Sequence, residues 1–151
     1  MFITLSIGFR SFKQATVTLA PILLVVVWLY GLMYIAGSSL NIVTVTIATI
    51  SLGVGIDYCI HVTERYREGR ESGESHEEAL IGIGGACGLA LIGSAASDIA
   101  GFSVIALSPM GLFTNFGIFS AAMIAFSLVA SLVLTTAALG LIARKPSPEV
   151  A

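Results

Sequence analysis

The residues of this chain whose types and spacing point to chemistry lie in the stretch Ser51 to Gly69, SLGVGIDYCIHVTERYREG. At about 3.6 residues per turn, Ile50, Gly53, Asp57, His61 and Glu64 share one face of a helix. Gly53 clears space beside the acid, and His61 follows it one turn later. A carboxyl at the centre of a bilayer costs about 2.5–3.5 kcal/mol on insertion scales, so it implies a partner or a task. The task these residues suit is proton handling: Asp57, held inside a helical bundle, loads and releases a proton as access switches, and His61 passes it to water. Tyr58 points about 100° away from Asp57 and so reaches for a group on another helix. Two blander readings stand beside these, Asp57 as a polar residue bonded to Ser or Thr across a helix interface and His61 as a residue facing lipid headgroups. Asp98 is a possible secondary polar site. Counted from Ala79 it lies about 20 residues, or 30 Å, along its helix, too far for contact with Asp57, where it caps a break before Gly101 or lines an outward cavity.

The setting of these residues follows from composition. Hydrophobic residues make up 56% of the 151-residue chain against 11% charged, and the mean hydropathy is +0.98. That is too apolar for a domain whose whole surface meets water. No charged residue occurs between Gln14 and Ile56, and between Ala79 and Ile142 the only one is Asp98. A hydrocarbon core about 30 Å thick takes about 20 residues of helix, so each of these stretches holds two spans. The expected fold is an all-α membrane protein, a bundle of four full transmembrane helices with spans at about 16–36, 40–62, 79–107 and 112–143.

Residues 1–9, MFITLSIGF, are too short to span and lack the basic region and cleavage site of a signal peptide. They read as the tail of a preceding helix. Arg10 to Lys13 then form a short basic turn that opens the transmembrane region, residues 10–143, and Pro21 falls in the early turns of the first span, where its missing N–H costs least. Tyr34 suits an interfacial belt, while Trp28 lies deeper and is expected to pack. After the turn at Gly37 to Ser39 the second span continues as a helix through Glu64 to Arg67, and Glu68 to Glu78 reads as a solvated loop that includes His76. The third span is rich in small residues. Gly84 and Gly88 form a GxxxG pair that admits a neighbouring backbone, so this helix is expected to be buried, with Gly53 and Gly55 as further packing glycines. Ser108 to Gly111 breaks it, and residues 144–151 form a polar cytoplasmic tail.

All seven Lys and Arg residues fall in the segments around 10–13, 64–77 and 144–151, which four spans place on one side. By the positive-inside rule that side is cytoplasmic, in a multi-pass protein of the cell membrane. The net charge of -2 and the absence of a basic cluster argue against nucleic acid as a partner. Cys59 and Cys87 stand singly in apolar helices, without metal-ligand spacing, and read as small packing residues. No metal or other cofactor is expected. Nor does the chain show a nucleophile with an adjacent base or an HExxH motif, so it is not read as an enzyme.

The core GVGIDYCIHVTERYREG resembles the fourth or tenth transmembrane helix of the resistance-nodulation-division (RND) superfamily, especially its mycobacterial membrane protein large (MMPL) branch. SDIAGFSVIALSPMGLFTNFGIFSA is similar to the end of the fifth helix, the outer turn and the start of the sixth. The likeness covers nearly the whole chain and overlaps the region called a sterol-sensing domain in eukaryotic relatives. It implies proton-driven export of lipids or other hydrophobic or amphiphilic compounds. It further implies that Asp57 is the protonated carboxylate and that Tyr58 donates a hydrogen bond across a pseudo-twofold axis to the matching pair of a second half. A complete member has two such halves, each with a large domain outside the membrane, whereas this chain carries one half without that domain. The implied partners are membrane lipids, a hydrophobic substrate, and a second half or another copy. A fragment of a longer gene fits equally, and the polar tail favours a C-terminal half. The rival function is a sterol-sensing-like module that binds lipid or a partner helix and transports nothing.

Overall fold

The computed structural model describes residues 12–38 and 42–143. Among them the regular structure is all helical, joined by short turns. Helix α1 is Phe12–Ile35 and α2 is Ile42–Glu71. Helix α3, His76–Gly82, continues through a π turn, Ile83–Cys87, into α4, Gly88–Ala106; α5, Gly111–Val129, continues through a second π turn, Ala130–Thr135, into α6, Thr136–Ala143. Four helical rods result, and three, Thr44–Glu71, His76–Ala106 and Gly111–Leu141, are long and apolar enough to cross a membrane. The described apolar part of the first, Pro21–Ile35, is shorter. The stretches at 1–9 and 144–151, with Arg10 and Ser39, lie outside the described residues.

The start of α2, IVTVTIATISL, is rich in β-branched residues that favour strands in water. In hydrocarbon every backbone N–H and C=O must be satisfied within the segment, which makes helix the available solution. The threonine hydroxyls are settled in the same way: Thr46 Oγ1 donates to the Ile42 carbonyl at 2.8 Å and Thr49 Oγ1 to Val45 at 3.0 Å.

Both α1 and α2 end on a glycine with positive φ, Gly37 at 65° and Gly73 at 87°. Each makes the paired closing bonds of a Schellman turn: Ser38 N–H to Met33 and Gly37 N–H to Tyr34 in one, Glu74 N–H to Gly69 and Gly73 N–H to Arg70 in the other. The helix limits correct three expectations. Phe12 and Lys13 are already helical, so Pro21 lies well inside α1 and not in its first turns. Because α2 runs on to Glu71 and α3 starts at His76, the expected loop shrinks to residues 72–75.

That short turn is structured. Ser75 and Glu78 form a capping box, with Glu78 N–H on Ser75 Oγ and Ser75 N–H on Glu78 Oε2. His76 Nδ1 lies 2.9 Å from the Tyr66 hydroxyl, ring edge against ring face. Arg65 pairs with Glu74 at 3.2 Å and lies over Gly82, where an added Cβ would come within 2.7 Å of its guanidinium. Arg67 bridges Glu64 and Glu71 along the surface of α2.

The core is built from Val25, Leu29 and Met33 of α1, Ile47, Tyr58 and Val62 of α2, Leu91 and Ala95 of α4, and Phe119, Met123 and Ile124 of α5. Trp28 packs edge-on against Phe126 but stays 36% exposed, and Tyr34 at the end of α1 is 88% exposed. Helix α5 is central, with α1, α2 and α4 all packing on it. Its tightest approach is to α4 at Gly117, where an added Cβ would collide with the Ala106 amide and stand 2.6 Å from the Phe102 carbonyl oxygen.

The third rod departs most from expectation. Only 28% of its most apolar stretch is buried within the chain, against 44% for the rods Thr44–Glu71 and Gly111–Leu141. It is therefore not enclosed by this bundle. Gly84, Gly85, Ala86, Ala90, Gly93, Ser94, Ala96 and Ser97 all lie on its exposed surface.

Candidate functional site

Helices α2 and α4 both pack on α5, and they make little contact with each other. The wedge between them is a cavity of about 500 Å³. Val54, Asp57, Tyr58 and His61 form its α2 wall; Cys87, Ala90, Leu91, Ser94 and Asp98 form the other. On the second wall the 87, 91, 94, 98 spacing is that of one helical face. The cavity opens on the side of the bundle, since Asp57, His61, Ser94 and Asp98 are all exposed.

Tyr58 ties the two walls together. Its ring is 4% exposed in the core, and its hydroxyl donates to Asp98 Oδ2 at 3.4 Å, a long contact for a bond to a carboxylate. Counting residues along the helix axis measured Asp98 against Asp57 alone and missed its contact with Tyr58, because it ignored side-chain direction. In a helix every Cα–Cβ bond tilts toward the N-terminus. Because α2 and α4 run in opposite directions, Tyr58 and Asp98 tilt toward one another, and a tyrosine side chain covers the rest. Helix α4 also runs unbroken past Gly101 to Ala106, so Asp98 caps no break. It faces the same space as Asp57. The Ser94 hydroxyl is within reach of Tyr58 as well.

Asp57 itself is not enclosed. The face that carries Gly53, Asp57 and His61 is the open face of α2, which corrects the expectation of an acid held inside the bundle of this one chain. His61 stands one turn beyond Asp57 toward the basic end, and its backbone carbonyl receives the Cys87 thiol at 3.8 Å. The four glycines expected at packing contacts divide. Gly55 is buried, and a Cβ there would lie 3.2 Å from Ser127 Oγ. Gly88 is buried against the Ile83 carbonyl of the π turn. Gly53 and Gly84 have nothing within 4 Å of an added Cβ, so within this chain they face open space.

Cys59 lies on the opposite, buried side of α2, where its thiol accepts from Thr135 Oγ1 at 3.4 Å. Among the described residues no three His, Cys, Asp or Glu side chains come together in a way that would hold a metal ion. Cys87 was read from the sequence only as a small packing residue, and Ser94 was not marked as a site residue. Their spacing from Asp98 is the signal that would have found them.

No solved structure matches the chain. A Methanocaldococcus jannaschii protein named "Putative membrane protein MJ1562" is 33% identical over 137 residues, which is 91% of this chain and 35% of that protein. The chain thus spans about a third of the length of the curated relative it matches. A model of the MMPL family matches residues 1–150, nearly the full length, and the chain belongs to that family.

Proposed function

We propose that the chain is the transmembrane part of a proton-driven transporter that moves lipids or other hydrophobic or amphiphilic compounds across the cell membrane, with Asp57 as the carboxylate that takes up and releases the proton. The observation that carries this reading is the position of Asp57: in an apolar helix, on the wall of an open cavity that Tyr58 and Asp98 also line, and one turn from an imidazole. One charge moving through 100 mV is worth about 2.3 kcal/mol, roughly a 50-fold gradient, so a single titrating acid is energetically sufficient. The basic end of the bundle, with Arg65, Arg67 and Arg70, is the cytoplasmic end in this proposal.

The same face argues for a partner. Two carboxylates turned toward hydrocarbon would cost about 5–7 kcal/mol together, at about 2.5–3.5 kcal/mol each. The exposed small residues of α4 let another helix come close enough to cover them. That neighbour is a second half of the transporter or a second copy of the chain.

The test is Asp57→Asn in the full-length protein, reconstituted in proteoliposomes with an imposed proton gradient and a fluorescent acyl probe. Gradient-driven movement of the probe is expected to be lost while insertion and folding are retained. Movement at the wild-type rate in that variant would remove the reading. A lipid-binding module without transport is the second reading, favoured by a separate groove of about 290 Å³ with almost wholly apolar walls, lined by Thr46, Ile105, Leu112, Phe113 and Phe116. Probe binding that survives Asp57→Asn, in a protein that moves no probe with or without a gradient, selects that alternative.

A further inference from the structure

The cavity holds a second acid that nothing in the sequence comparison assigns a role. We propose that Asp98 is a second proton-binding carboxylate of the Asp57 cavity, held toward it by the Tyr58 hydroxyl. The inference rests on the reading of Asp57 as the proton carrier and extends it to α4.

Three observations support it. First, Asp98 is the only charged residue between Ala79 and Ile142, and it lines the same cavity as Asp57. Second, its carboxylate accepts the Tyr58 hydroxyl at 3.4 Å, and that tyrosine, the residue after Asp57 in α2, has its ring fixed in the core. Third, among the described residues no Lys or Arg lines its cavity. The titratable groups that face it are Asp57, Tyr58 and His61 from α2, with Cys87 of the π turn that leads into α4, and α5 and α6 contribute none, because residues 111–143 contain no Asp, Glu, Lys, Arg, His, Cys or Tyr. Two carboxylates thus line one cavity whose described walls carry neither Lys nor Arg.

The step is simple to balance. The Asp98 carboxylate takes one proton from a hydronium ion in water that enters the cavity, leaving a water molecule, and becomes a neutral carboxyl, losing one negative charge, while Tyr58 keeps its own proton throughout. The neutral carboxyl still accepts the Tyr58 hydroxyl through its carbonyl oxygen. Protonation therefore removes charge from the wedge without breaking the link between α2 and α4.

The experiment is pH-difference infrared spectroscopy of the full-length protein in lipid nanodiscs, read in the protonated-carboxyl region. Wild type is expected to gain two carboxyl bands as the pH falls. Asp57→Asn removes one and Asp98→Asn the other, and Asp98→Glu restores a band in the second position. Tyr58→Phe keeps both bands but shifts the one from Asp98 to that of a carboxyl without its hydroxyl donor. If Asp57→Asn loses its band while Asp98→Asn and Tyr58→Phe match wild type, Asp98 only props Tyr58, and the proposal falls with the role of Asp57 intact. If Asp57→Asn also matches wild type, both readings fall together.

Discussion

Tyr58 does two jobs that substitution separates. Its ring fills core space between α2 and its neighbours, and its hydroxyl meets an acid on α4. Tyr58→Phe keeps the ring and removes one long hydrogen bond, so it is expected to cost about 1 kcal/mol or less. Tyr58→Ala empties the site and is expected to cost about 3–5 kcal/mol. Unfolding of the purified protein by added denaturing detergent measures both, and a Phe variant as unstable as the Ala variant would show that the hydroxyl, not the packing, anchors α2. At this scale the sequence was most informative about Asp57, because an acid in an uncharged run is conspicuous whatever its surroundings. It was least informative about what Asp57 faces. Whether a helix face is covered depends on the neighbours, and the period of one helix cannot tell an inner face from an open one. Asp98 was legible as an oddity, but its bond to Tyr58 was not, because rise per residue was counted without the tilt of side chains on antiparallel helices.

Helix–helix approach is decided by glycines, and they differ sharply in what surrounds them. Gly117 has the backbone of α4 against it, so Gly117→Ala forces the α4–α5 hairpin apart and is expected to cost about 1–3 kcal/mol, the range for overpacking. Thermal unfolding of the purified variant checks this, and an unchanged midpoint would mean that the hairpin is looser than drawn. The capping box at Ser75 is a second element-level test. Ser75→Ala removes the side-chain acceptor for the Glu78 N–H and is expected to cost about 1 kcal/mol. In hydrogen exchange the loss should appear first at the start of α3, and uniform protection there would count against the box. The sequence marked the apolar runs and the turns at Gly37 and Ser108 to Gly111, because both arise from local chemistry. It did not mark Gly117 among so many small residues, since only the backbone of α4 identifies it. Nor did it mark the π turns, one of which contains Gly85 with non-helical φ and ψ.

The bundle as a whole has one face that an apolar solvent would tolerate poorly. Leu23, Val27, Tyr34 and Leu141 are exposed in the manner of a lipid-facing belt, whereas the open side of α2 and α4 carries Asp57, Asp98, His61 and Ser94 among glycines and alanines. A surface with acids at its centre and small residues around them suits protein better than acyl chains, because another helix can bring donors and lipid cannot. Gly84 and Gly93 separate the two cases, since an added Cβ meets nothing within 4 Å at either position. Gly84→Leu and Gly93→Leu therefore leave the chain itself free to fold, and each replaces a poor helix former with a good one. If another half or copy lies on this face, the bulk prevents close approach, and the full-length protein should lose the association of its halves, or of its copies, in cross-linking and native mass spectrometry. It should also lose transport while the helical content stays unchanged. If lipid covers the face instead, both variants should assemble and transport as wild type does, and the two acids would have to find their partners within this chain.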